Sequence, residues 1–323
     1  MSKHISHNSF PSRPRIIFMG TPQFAVPTLR ILIQEKYEII SVVTQPDRPK
    51  GRGQKLTPSP VKICAEENKL ALLQPQRLDE RFLHLLLDLT PDLLIVVAFG
   101  QIIPGTVLRS AEWGGINIHA SLLPHYRGSA PIQWAVINNE KTTGLTTMFM
   151  DEGLDTGPIL MQQEIAILEG ETAGMLHDRL SSLAPGLLLR TLEGLANGSI
   201  TERKQDHSLA TYATKLTKEQ GLINWSWPDE RIYGLIRGLD PWPGAFTYHN
   251  EKMLKLFGCS LAGDRQTVSV PGRINGLTEQ GLEIAAGKGS IMVKEIQAPG
   301  KKRLPVREFQ RGSTLNVGDI LGK

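Results

Sequence analysis

Asn117 and His119 stand two residues apart in a short apolar run within GINIHASLLPHYRGSAP, residues 115–131. If that run is a strand, both side chains point to one face, because strand side chains alternate. The pair joins an amide hydrogen-bond donor to a ring that exchanges protons near neutral pH. Pro124 and Gly128 then turn the chain away, which puts the pair at the mouth of a sheet. In open α/β sheets ligands collect at the carboxyl ends of strands. Asp155, in DEGLDTGPI at 151–159, follows His119 by 36 residues, after one helix-like and one strand-like segment. It can return to the same mouth. An isolated Asn-x-His equally suits a histidine satisfied by its own neighbours, so the surrounding motifs decide.

The elements that must position these groups alternate. Residues 15–19 (RIIFM) and 38–44 (EIISVVT) read as strands on either side of a helical segment, 24–35, with Phe24, Leu29, Leu32 and Ile33 at helical spacing. Strand, helix, strand predicts an α/β fold with a parallel sheet and crossovers. The turn after the first strand lacks G-x-G-x-x-G, so it is not a dinucleotide fingerprint. Residues 93–98 (LLIVVA) are continuously apolar, as a central strand buried on both faces would be. Helices are expected over 61–68, 79–89, 130–138 and 171–197, and strands over 71–74, 145–150 and within 157–167. Residues 201–211 (TERKQDHSLAT) are polar and aperiodic, and the domain boundary is placed there. After a helix at 228–239, strand-like runs recur at 245–248, 253–259, 272–276, 282–286 and 291–297, a spacing that fits a small barrel.

A chain of 323 residues suggests one large or two ordinary domains. Cys64 and Cys259 are its two cysteines and form no C-x-x-C pair, which argues for a reducing compartment and against a disulfide framework or zinc site. His119 and His125 have no third and fourth ligands nearby, so no metal is expected. Residues 1–14 are polar, lack the apolar core of a signal peptide and read as a disordered tail. The longest apolar run, 93–99, is far short of a membrane span. A cytoplasmic protein without a membrane partner is expected. So is a monomer, since the apolar runs suffice for internal cores. From His207 onward there are 16 Lys and Arg against 11 Asp and Glu, and before it 20 against 21. The basic excess lies in the last third, which is compatible with nucleic acid and equally with solubility.

Residues 45–60 (QPDRPKGRGQKLTPSP) hold four prolines, two glycines and the cations Arg48, Lys50, Arg52 and Lys55, with Lys62 just beyond. Regular structure is not expected there. The stretch is either a solvated loop or a basic loop that grips phosphates.

Two motifs in order, INIHASLLPHYRGSAPIQWAV and DEGLDTGPIL, closely resemble the folate-dependent formyltransferases. PDRPKGRG, KLTKEQGLINW and DPWP match the tRNA-acting branch of that family, so the resemblance runs from Arg15 onward. It implies a Rossmann-like, mostly parallel catalytic domain at 15–205 and a small OB-type barrel at 206–323. It implies Asn117, His119 and Asp155 as the catalytic triad, and Ser121, Leu122, Leu123 and Pro124 as contacts to tetrahydrofolate. It also implies that Arg48, Lys50, Arg52 and Lys55 grip a tRNA acceptor arm, and that residues 99–104 line a pterin pocket. The implied reaction moves a formyl group from 10-formyltetrahydrofolate to the α-amine of methionine on initiator tRNA. Asn117 suits an oxyanion hole, and His119 can donate to that oxygen or shuttle the proton. Asp155 would orient His119. Two other readings are a formyltransferase for a sugar- or nucleotide-linked amine, which leaves the basic loop unexplained, and an RNA-binding protein with a vestigial catalytic domain.

Overall fold

Unbroken apolar runs build the middle of a seven-stranded sheet. β1 (Ile16–Gly20) leads through α1 (Val26–Gln34) to β2 (Ile39–Val43). A hairpin follows, β3 (Arg48–Lys50) and β4 (Lys55–Thr57), then α2 (Pro60–Glu67), β5 (Leu72–Leu73), α3 (Glu80–Leu89) and β6 (Leu93–Val97). α4 (Gly105–Leu108) precedes β7 (Gly115–His119). The chain then forms β8 (Arg127–Gly128), α5 (Pro131–Ile137), β9 (Thr142–Phe149), β10 (Ile159–Ala166), α6 (Ala173–Ala196) and β11 (Tyr212–Ala213). The computed structural model describes residues 9–50, 53, 55–262, 269–312 and 315–322.

The sheet order is β10-β9-β7-β6-β1-β2-β5. β1 is parallel to β2 and β6, β2 to β5, and β6 to β7, while β9 runs antiparallel to β7. All five residues of β1 and of β6 are buried, which accounts for their lack of alternation. The chain runs outward from β1 to β5, then restarts on the other side of β1 with β6 and β7. Such a reversal leaves a crevice at the carboxyl ends of β1 and β6. There the Thr21 hydroxyl donates to the Phe99 carbonyl at 2.8 Å and ties the two exit loops together. Phe82 and Leu86 of α3 pack with Ile17, Met19, Leu94 and Val96. α6 is fixed through Ser181, whose hydroxyl donates to Phe24 O at 3.0 Å, and through the Thr147–Thr191 hydroxyl pair at 2.8 Å. Ser59 and Asp79 cap α2 and α3 by accepting from Lys62 N and Phe82 N. Each such cap contributes about 1 kcal/mol.

Two findings differ from the sequence reading. Phe10, in the expected tail, is 7% exposed and meets Trp113 edge-on with ring centroids 5.1 Å apart. Such a contact anchors the chain ahead of β1. The stretch 45–60, read as irregular, contains the β3–β4 hairpin, with Arg48, Pro49 and Lys50 opposite Thr57, Leu56 and Lys55. Proline is tolerated there because a two-stranded ribbon consists of edge strands, whose outward N–H positions need no partner. Arg52 lies outside the described residues.

The chain divides into two units, one of residues 1–127, 144–164 and 178–212, the other of 128–143, 165–177 and 213–323. The sequence reading places a single cut at 205/206. Two earlier segments group instead with the second unit. That unit adds α7 (Asp229–Gly238), β12 (Phe246–His249), β13 (Lys252–Leu261), β14 (Ile274–Thr278), β15 (Gly281–Ala285), β16 (Ser290–Gln297), β17 (Leu304–Pro305) and α8 (Val306–Gln310). Its six strands pair antiparallel in the order β12-β13-β16-β15-β14, with β17 on β16. Leu256, Ile284, Ile291, Val293 and Ile296 fill its core. α5 packs on α7 so closely that a Cβ at Gly234 would overlap the Ile137 carbonyl oxygen. Buried Arg237 stacks on Tyr233 at 4.1 Å and donates to Glu171 O and Asn139 Oδ1.

Both cysteines are free and buried. Burial pushes the Cys259 thiol up to about 12 and raises that of Cys64 as well. At pH 8 only about one Cys259 in 10⁴ is then thiolate, the form that reacts. Titration with a disulfide reagent is expected to label Cys259 only after denaturant is added. Rapid labelling of the native protein at that residue would contradict this packing.

Candidate active site

β7 lies between β6 and β9, with Asn117 beside Val96 on one side and Met148 on the other. Asn117 and His119 are both buried, and His119 is the last residue of the strand. The imidazole is held at its far side: Nε2 lies 2.9 Å from the Tyr126 carbonyl oxygen. A carbonyl only accepts, so Nε2 carries a proton and Nδ1 is the nitrogen left to exchange one. Nδ1 faces Asp155 Oδ2 at 3.7 Å, within ion-pair reach but longer than a hydrogen bond. The structure therefore brings His119 and Asp155 together across 36 residues of sequence.

Tyr126 and Asp155 both have left-handed backbone, with φ of 60° and 54°. Non-glycine residues adopt that region only when their surroundings hold them there. Tyr126 N donates to Thr211 Oγ1 and Arg127 N to Thr211 O, both at 2.8 Å. The loop 151–157 is held at its start by Asp151, whose Oδ1 accepts from Gly153 N at 3.0 Å and Thr156 Oγ1 at 2.6 Å. Gly157 closes it, where a Cβ would overlap the Phe149 carbonyl oxygen.

Ser121, Leu122, Leu123 and Pro124 form the turn after β7. Ser121 Oγ donates to His125 O at 2.6 Å. Leu123 N donates to Thr146 Oγ1 at 3.1 Å, Leu123 O accepts from Gln162 Nε2 at 2.9 Å, and Thr146 Oγ1 donates to Ser121 O at 2.6 Å. Leu123 packs with Met148 and Ile159, and the Leu123–Pro124 peptide is cis. The turn is thus fixed to the sheet by its own hydrogen bonds. Among the described residues no group of three or more His, Cys, Asp and Glu could hold a metal ion, and no helix is long and apolar enough to cross a membrane.

The basic stretch rises from a pinned base. Lys62 Nζ and Gln74 Nε2 donate to the Asp47 carboxylate at 2.7 and 2.8 Å. The Lys62 bond, then that of Gln74, hold the Asp47 carboxyl below its usual range. Lys62 therefore belongs to the base rather than to a free cationic face. Arg48 donates from Nη2 to Gln45 Oε1 at 2.9 Å, and Lys55 is exposed. Lys50 closes β3 opposite Lys55.

Sequence reasoning missed two residues. Arg127 is 2% exposed and donates through Nε and Nη2 to Gln205 Oε1 at 3.1 and 2.7 Å. Gln205 Nε2 in turn donates to the carbonyls of Asp155 and Gly157 at 2.8 and 2.7 Å. Arg127 lies inside the first motif, where nothing local marks it for a role, and Gln205 lies in the stretch read as a boundary.

A mostly parallel α/β unit with this Asn-x-His strand end, facing an aspartate loop, defines a formyl transferase: the family described as "Formyl transferase" matches residues 14–192, and "Formyl transferase, C-terminal domain" matches 215–314. The methionyl-tRNA formyltransferase of Syntrophus aciditrophicus (strain SB) is 50% identical over 309 residues, covering 95% of this chain and 98% of that protein. The chain belongs to the methionyl-tRNA formyltransferase family. Among solved structures, WlaRD, a sugar 3N-formyl transferase crystallised in the presence of dTDP and 5-N-formyl-THF, shares the fold. Its TM-score is 0.67 at 21% identity, over 89% of this chain and 98% of that one. A HypX variant from Aquifex aeolicus gives a TM-score of 0.62 at 19% identity, over 94% of this chain, which spans about half (49%) of that one.

Proposed function

We propose that the protein transfers a formyl group from 10-formyltetrahydrofolate to the α-amine of methionine on initiator tRNA. The observation that carries this reading is the Nδ1 edge of His119 facing Asp155 beside Asn117, in a chain half identical to a methionyl-tRNA formyltransferase. The folate-derived donor is supported by the 5-N-formyl-THF named with the similar fold. A cytoplasmic location suits a translation enzyme of this family.

The amine attacks the formyl carbon, and a tetrahedral oxyanion forms. Asn117 supplies an N–H donor to that oxygen. With Nε2–H engaged by Tyr126, His119 takes the amine proton on Nδ1 and returns it to the departing folate nitrogen. The Asp155 carboxylate offsets the imidazolium charge between those steps. Ser121, Leu122, Leu123 and Pro124 border the donor, and Arg48, Lys50, Arg52 and Lys55 meet the tRNA backbone.

The test is a formylation assay with 10-formyltetrahydrofolate, comparing methionyl initiator tRNA with free methionine. Formyl product on the tRNA alone is expected; product on neither would reassign the amine. In the same assay, replacing Arg48 and Lys55 together with alanine is expected to raise the KM for tRNA and leave the KM for folate unchanged. The salt dependence of tRNA binding should flatten by about one unit of log–log slope for each phosphate that is no longer neutralised. An unchanged slope would remove the hairpin from the interface.

A further inference from the structure

We propose that Gln205 is a positioning residue for Asp155, keyed by the buried guanidinium of Arg127; this rests on the proposed catalytic role of Asp155. Gln205 could in principle present either end of its amide to the loop. Arg127 removes the choice. A guanidinium only donates, and both Nε and Nη2 point at Oε1. The NH₂ end must then face the loop, where it donates to two carbonyls at once, Asp155 O and Gly157 O. Those carbonyls bracket Thr156, so the amide fixes the peptide on each side of the turn that aims the Asp155 side chain. The left-handed φ of Asp155 is a conformation that such a clamp has to hold.

The partners of Arg127 fit this role better than a structural ion pair. Its side chain meets Gln205 Oε1 and, at 3.2 Å, His207 Nδ1, and among the described residues no carboxylate pairs with it. A guanidinium 2% exposed, with two of its donors spent on one amide oxygen, is costly to bury. What it gains is a directional fork that fixes one amide. The same residue carries the backbone N–H that anchors to Thr211 beside Tyr126, the residue that holds His119 Nε2. Both halves of the His119–Asp155 pair are thus set from the 126–127 step: His119 directly, and Asp155 through Gln205.

The experiment measures kcat and both KM values for Gln205→Ala and Gln205→Glu, alone and in an Asp155→Asn background, with thermal melting of each. Glutamate keeps the volume and pairs with Arg127, so Gln205→Glu should melt no lower than the parent. It sets a second acceptor against two carbonyl oxygens, and its kcat should fall about 10–100-fold, the scale of a small misplacement at the chemistry. Gln205→Ala should lose kcat similarly, with both KM values within about threefold. In the Asp155→Asn background neither change should alter the residual rate by more than about twofold, because the group being aimed is gone. Gln205→Glu with wild-type kcat, or a full loss on top of Asp155→Asn, would overturn the assignment and leave Gln205 as packing. Asp155→Asn with near-wild-type kcat would instead overturn the catalytic reading of Asp155 and the aiming of it together.

Discussion

Replacing His119 with alanine is expected to lower turnover by at least about 100-fold while the protein still folds. The imidazole combines a fixed donor nitrogen on one side with an exchanging nitrogen on the other. Its removal leaves Tyr126 O without this donor, at a cost of about 1–3 kcal/mol of stability. That lowers the melting temperature without unfolding a domain of ordinary stability. Asn117→Ala should lose about 100–1000-fold, the range for a deleted oxyanion donor. The two variants are told apart by added base. Small imidazoles should restore part of the rate to the His119 variant and none to the Asn117 variant. Single-turnover formylation of methionyl-tRNA reads both, and near-normal turnover in either would sink the role assigned to that residue.

Gly157→Ala is expected to be as damaging to catalysis as loss of Asp155, although it adds one methyl group two residues away. The Cβ has nowhere to go, because the Phe149 carbonyl oxygen occupies its position. Backbone must move, either the end of β9 or the loop 151–157. The loop is the softer of the two, since β9 is held by β7 in the sheet. Overpacking of this kind typically destabilises by about 1–3 kcal/mol. Here the shift would also break the Gln205 bonds to Asp155 and Gly157 and swing the carboxylate away from His119. Melting and kcat measured together decide it. A variant with unchanged kcat and a lowered melting temperature would mean that the aspartate loop absorbs the methyl group without turning.

The parts of the site that the sequence carried were those fixed over short range. Asn117 and His119 share a face because a strand has a period of two, and the unbroken apolar run of β6 marked a neighbour buried on both sides. The helices α2 and α3 were expected at 61–68 and 79–89, within a residue of their observed starts, and the structure adds Ser59 and Asp79 as their caps. The β3–β4 hairpin was not, because four prolines and two glycines argue locally for irregular chain, and the pairing of Pro49 with Leu56 is settled only by the ribbon as a whole. Gln205 was out of reach for another reason. Its partners lie 48 to 78 residues away and impose no periodicity on the polar stretch around it. Phe10 falls in the stretch read as a disordered tail, because its partner Trp113 lies about 100 residues away.

The interleaving of the two units bears on how the protein is made. α5 emerges from the ribosome long before α7, the helix it packs on, and about 100 residues must follow it before Gly238 exists. At about 5–20 residues per second that is a delay of roughly 5–20 s. Trp134 and Ile137, packed in the finished fold against the core that holds Ile232, Leu235 and Ile236, are made well before those partners on α7. The segment 128–143 is therefore the place where a nascent chain of this protein is most in need of a chaperone. It is also the place where a premature stop after residue 212 would leave a sticky and degradable fragment rather than a working half.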